Sequence, residues 1–187
     1  DGLPAHLFTV KSTYQYIVAA PEKTATGHNF FTSPNPPYGV KLSYYLGNSI
    51  LSKFEERQNE ESNKFNKGET IDYPTAKKLE DEAKEKTPKI YLTILDSEGK
   101  VVRRISSNKN KGYHEKYWDL RTFSQRNIDD ENNYSGPLVP PGKYSVHIEK
   151  FENDKLEKLT DSFSFDIIQN GSKSSQEDRE KLYGFQL

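Results

Sequence analysis

A chain of 187 residues with 27 Lys and Arg against 28 Asp and Glu has a formal charge of -1, which removes the broad attraction that nucleic-acid binding rests on. It has no cysteine, so disulfides, thiol nucleophiles and Cys-ligated zinc are excluded. Only 32% of residues are hydrophobic and the mean hydropathy is -0.95, so a core requires well-patterned strands and the surplus polarity must be concentrated in one region.

No methionine is present, not even at position 1, which gives the expectation that the chain is a piece of a longer precursor. No apolar run approaches the roughly 20 residues of a membrane helix, so no membrane insertion is expected.

Between Leu7 and Ala19 lie two short β-prone runs, with Phe8 and Val10 alternating against Thr9 and Lys11. Pro34, Pro36 and Pro37 then forbid helix and fix an extended, turn-rich path. The run VKLSYYL places Val40, Leu42, Tyr44 and Leu46 on one face and Lys41, Ser43 and Tyr45 on the other, which predicts a half-buried antiparallel strand. Residues 47–89 turn rich in Glu, Lys, Asn and Gln, with two helix-prone pieces, a thin stripe of Ile50, Leu51 and Phe54, and Pro74 at a helix start. Mixed charges three and four apart support a solvated helix, so this segment reads as a charged helical insertion between two strands.

Strands then resume. Ile90, Leu92 and Ile94 alternate with Tyr91, Thr93 and Leu95, and SEGK is a hairpin turn with Gly99 available for positive φ. GYHEKYWDL sets His114, Lys116, Trp118 and Leu120 against Glu115, Tyr117 and Asp119. Trp118, the only tryptophan, is expected in the core, with Asp119 and Arg121 paired on the opposite face. Residues 122–137 read as a long polar loop. In VPPGK, Pro141 and Gly142 sit at the second and third positions of an expected type II turn, after which Tyr144 enters the core. Tyr144, Val146 and Ile148 point inward against Ser145, His147 and Glu149; ENDK is a hairpin tip; Phe163, Phe165 and Ile167 point inward again. The tail starts like a helix, capped by Ser174 or Ser175. Seven or eight short strands without a βαβ rhythm predict an all-β antiparallel sandwich.

Candidate chemistry is sparse. His6, His28, His114 and His147 are far apart and in no ligand spacing, and His147 is expected on a solvated face. Asp129, Asp130 and Glu131 form a weak calcium candidate that lacks the alternating spacing and glycine of a calcium loop. No phosphate loop, nucleophile elbow or zinc-protease motif is present, and no carboxylate pair stands out for glycoside hydrolysis. No catalytic residue and no cofactor is assigned. Tyr45, Tyr91 and Tyr117 are expected to point outward, where they would stack on sugar rings or pack against a neighbouring domain.

Five segments in order, PAHLF, FFTSPNPPYGVKLSYYL, LTILDSEGKVVRRI, GYHEKYWDLR and GPLVPPGKYSV, give the chain a family resemblance. They resemble the C-terminal, Ig-like region, similar to that of the flagellar hook-capping protein, of bacterial secreted proteins built on sortilin-like BNR-repeat β-propellers and often labelled glycosyl hydrolases. The resemblance is weakest over 47–89, and no propeller repeat is present. It implies a lead-in at 1–29 partly packed on the sandwich, an Ig-like or fibronectin III-like sandwich at 30–170, and a truncated helical tail at 171–187. It also implies a secreted, periplasmic or cell-surface location and a propeller partner outside these residues. The resulting expectation is a non-catalytic accessory module that supports the propeller or contacts a partner. A carbohydrate-binding module using the exposed tyrosines is the alternative, and a glycoside hydrolase fragment is a third.

Overall fold

The computed structural model describes residues 4–16, 37–123 and 135–170, together with Asp178, Lys181, Tyr183 and Gly184 at helical positions of the tail. In chain order the elements are β1 (Ala5–Leu7), β2 (Thr13–Gln15), β3 (Val40–Leu46), α1 (Lys53–Asn66), α2 (Ala76–Lys84), β4 (Lys89–Leu95) and β5 (Val101–Ser107). There follow β6 (Gly112–Trp118), β7 (Arg121–Phe123), β8 (Ser135–Leu138), β9 (Gly142–Glu152), β10 (Lys155–Lys158) and β11 (Phe163–Gln169).

The protein is an all-β sandwich. One layer has the order β1-β3-β6 and the other β2-β11-β9-β4-β5, and all pairings are antiparallel except β2 with β11. The lead-in expected to be partly packed on the sandwich, with its two β-prone runs, contributes one strand to each layer. Period-two patterning is what closes the two layers: Val40, Leu42, Tyr44, Leu46 and Trp118 from the first meet Ile90, Leu92, Ile94, Val146, Ile148, Phe165 and Ile167 from the second, all at 3% exposure or less. Trp118 lies between the layers at 0% exposure, with ring centroids 5.8 Å from Tyr144 and 6.3 Å from Phe165. Its indole Nε1 donates to the Arg121 carbonyl at 2.8 Å, so the buried polar edge of the ring is satisfied.

Several local expectations change. In the first run Val10 is buried as the alternation has it, but Phe8 is exposed and Ala5 and Leu7 point inward in its place. The loop expected over 122–137 has stranded ends, because Arg121 pairs Leu138 and Phe123 pairs Ser135. Gly142 makes no type II turn: its φ of 159 is extended, and it opens β9 opposite Ile167. The bend at Pro141 is fastened instead by Tyr144, whose hydroxyl donates to the Pro140 carbonyl at 2.7 Å, a tyrosine corner. Asp119 meets Arg121 through its Oδ1, which accepts the Arg121 backbone N–H at 3.2 Å, while the guanidinium donates to the Gly136 carbonyl at 3.0 Å. Of the residues grouped with Trp118 on β6, His114 is half-buried against the Tyr44 ring and Lys116 is exposed.

The two expected hairpin tips form. Asn153 and Asp154, at φ 50 and 61, make the two-residue connection between β9 and β10, and Gly99 at φ 81 turns β4 into β5. The insertion forms α1 and α2, neither with a buried residue. Ser52 and Glu55 form a capping box at α1, and Thr75 caps α2, so Pro74 lies one residue outside the cap. Arg57 ties the helices together, donating to both Glu82 oxygens at 2.7 and 2.9 Å. Among the described residues no helix is long and apolar enough to cross a membrane.

Candidate functional site: the outer face of the three-stranded sheet

Side chains that alternate away from the core of β1, β3 and β6 line up across the sheet. His6 stands opposite Tyr45 and Tyr45 opposite Tyr113, which makes one row of three rings. In the next row Phe8, whose backbone N–H donates to the Ser43 carbonyl at 3.0 Å, lies beside Ser43, itself opposite Glu115. Beyond it Lys41 stands opposite Tyr117. The rings touch edge to face, His6 on Phe8 at 4.9 Å and Phe8 on Tyr113 at 5.7 Å. Tyr45, Phe8 and Tyr113 are 38%, 39% and 55% exposed, and Tyr117 is half-buried.

The charges of this face are arranged around one carboxylate. Glu115 accepts from the Lys41 ammonium at 2.5 Å and from the Tyr113 hydroxyl. The ammonium, and after it the phenol, hold Glu115 below the usual carboxylate range, while the Glu115 bond raises Lys41. The two charges therefore cancel within the face, and the Tyr113 ring is tethered by its own hydroxyl.

Of the three tyrosines singled out from the sequence, Tyr45 and Tyr117 share this face. Tyr91 does not: it lies half-buried on the opposite layer, between Ser106 and Glu149. His6, Phe8 and Tyr113 were missed. Tyr113 has the period of Glu115 and Tyr117 and was legible on that ground; His6 and Phe8 needed the phase of β1, which two residues of alternation do not fix.

The outer face of the larger layer holds a second polar group where a solvated one was expected. His147 is 6% exposed and Thr93 0%, because His147, Thr93 and Arg104 lie abreast across β9, β4 and β5. His147 Nε2 is 3.0 Å from Glu149 Oε1, and its Nδ1 is 3.5 Å from the Ser162 hydroxyl. Burial works to raise Glu149, but hydrogen bonds from Thr93, His147 and Arg104 outweigh it and hold the carboxyl below its usual range.

The strand beside this group is broken. Lys158 pairs Glu149, and a continuous ladder would bring Asp161 to Val146, yet Phe163 is found there, so two extra residues bulge out. Thr160 repairs the gap by accepting the Ile148 N–H on its hydroxyl at 3.1 Å, and Leu159 N–H donates to the Ile148 carbonyl at 2.8 Å.

His114 is bonded to the Asn110 carbonyl at 2.7 Å. The calcium candidate Asp129, Asp130 and Glu131, and His28, lie outside the described residues. Among the described residues no three His, Asp or Glu side chains are placed to hold a metal ion. Compared with protein-family models, with curated proteins and with solved structures, the chain gives no significant match.

Proposed function

We propose that this chain is a non-catalytic interaction module of an exported, multidomain bacterial protein, and that it meets its propeller or another partner through the outer face of the β1-β3-β6 sheet. The observation that carries this reading is the row His6–Tyr45–Tyr113, three rings abreast on one sheet with their nearest charges already paired. Interaction surfaces favour aromatic anchors over unpaired charge, because a ring brings large contact area with few torsions to freeze. An Ig-like identity is supported by the layer orders, by the parallel β2–β11 pair at one edge and by the tyrosine corner at Tyr144.

The test is hydroxyl-radical footprinting of the chain alone and of the protein in place on the cells that export it, where its partner is present. Phe8, Tyr45 and Tyr113 are expected to label strongly in the first and weakly in the second. Tyr73, 88% exposed on the insertion, labels equally in both and serves as the internal control. Equal labelling of all four residues in both samples overturns the reading.

A further inference from the structure

We infer that the ligand of this face is an uncharged polysaccharide chain lying along the strands, an inference that rests on the interaction-module reading and gives its partner a chemistry. Of the eight outward side chains on the face, His6, Phe8, Tyr45, Tyr113 and Tyr117 are rings, Lys41, Ser43 and Glu115 are polar, and none is aliphatic. Rings interleaved with hydrogen-bonding groups, without aliphatic filler, match a ligand that is itself two-natured. Pyranose rings present apolar C–H faces, which stack on aromatic π-faces, and equatorial hydroxyls, which need donors and acceptors within reach.

Charge and dimension point the same way. The Lys41–Glu115 pair, at 2.5 Å, leaves no net charge to recruit an ionic ligand, while each partner keeps further donor or acceptor capacity for a hydroxyl. Tyr113 and Tyr117 lie on one strand four residues apart, about 13 Å at about 3.3 Å per residue, with Glu115 midway between them. Aromatic contacts at the two ends and a hydrogen-bonding centre fit a run of linked sugars better than a single one. The sheet order holds this spacing fixed, so little is lost on ordering the site.

The test is affinity electrophoresis in gels containing hydroxyethylcellulose, mixed-linkage β-glucan, glucomannan or, as the charged counterpart, carboxymethylcellulose. Retardation is expected in at least one uncharged gel, and the Tyr45→Ala/Tyr113→Ala variant is expected to weaken it roughly tenfold or more. Tyr91→Ala, on the other layer, leaves it unchanged. A Tyr45→Leu/Tyr113→Leu variant keeps the face apolar and strand-compatible, and it is expected to lose retardation as fully as the alanine pair. Retention of binding by that leucine variant overturns the inference, because generic apolar contact then suffices. Retardation in carboxymethylcellulose alone, or in none of the four gels, overturns it as well. If footprinting shows protection while every gel is negative, the interaction face stands and its occupant is not a glycan.

Discussion

Gly39 passes so close to Trp118 that a Cβ built on it would lie 1.8 Å from the Trp118 carbonyl oxygen. The backbone at Gly39, φ +115, is also one that L side chains rarely adopt. Both causes act at the point where β3 and β6 begin to pair, Val40 against Trp118, so the approach sets the register that aligns every ring on the outer face.

Gly39→Ala is therefore expected to cost about 3 kcal/mol or more, since neither the clashing carbonyl nor the dihedral relaxes without moving the strand pair. Gly68 supplies the control. It shares a left-handed φ of +71 but has nothing within 4 Å of a built Cβ, so Gly68→Ala costs only about 1 kcal/mol. Urea denaturation of the two variants measures the difference, and equal midpoints would show that the close approach carries no energy.

Thr160 holds the ladder together across the two-residue slip. Ile148 is fully buried, so removing the hydroxyl that accepts its N–H leaves an orphaned donor in the core. Thr160→Val keeps the shape and is expected to lose about 2 kcal/mol, read from chemical denaturation. Thr160→Ser, which restores the acceptor, recovers most of that loss; a serine variant as weak as the valine would sink the assignment.

How much of this was legible follows from the length of each alternating run. The runs 40–46, 90–95 and 163–167 give enough alternation to fix phase, and the core positions read from them are buried as expected, apart from Phe163, which is half-buried where β11 begins. Tyr144 and Trp118 were placed in the core for the same reason. The strand Ala5–Leu7 is three residues long and its phase does not run on to Val10: Leu7 and Val10 are both buried, and Phe8 between them is exposed. His147 shows a different limit: alternation assigned its face correctly, but whether an outward face is solvated depends on what packs there, which is tertiary information. Gly142 misled because Pro-Pro-Gly fits a type II turn locally, whereas pairing with Ile167 pulls the glycine into extended backbone.

Glu149 ties stability to acid. Its folded carboxyl titrates below the unfolded value of about 4.3, so its contribution is fully present above that pH and is lost as pH falls through the folded value. Glu149→Gln is expected to be less stable than the parent by about 2 kcal/mol at neutral pH, because charge-assisted bonds to Arg104, Thr93 and His147 become neutral ones. The gap narrows as pH falls below the unfolded value, because the unfolded parent then takes up a proton that the folded carboxylate still resists. Urea titrations at several values between about pH 3 and 7 report it, and a gap that does not change with pH would rule out this role for the carboxylate.

Arg57 governs the insertion and not the sandwich. The helices α1 and α2 bury no residue, so their docking depends on polar links, Arg57 across to Glu82 and the Lys53 N–H to Glu85 at 2.8 Å, with Glu61 of α1 holding the guanidinium in place at 2.9 Å. Arg57 also stacks on the Phe54 ring at 5.3 Å, so one side chain closes both an ionic and an aromatic contact. The guanidinium holds Glu82 below the usual carboxylate range, so the link persists in mild acid and opens only as pH falls through that lowered value. Removing it by Arg57→Ala is expected to lower amide-exchange protection throughout α2 by roughly tenfold while leaving β3, β4 and β9 as slow as in the parent. The separation is physical: the strands draw on apolar burial between layers, and the helices on contacts that water can replace. Faster exchange in the strands after the same substitution would show that the insertion is part of the sandwich's cooperative unit.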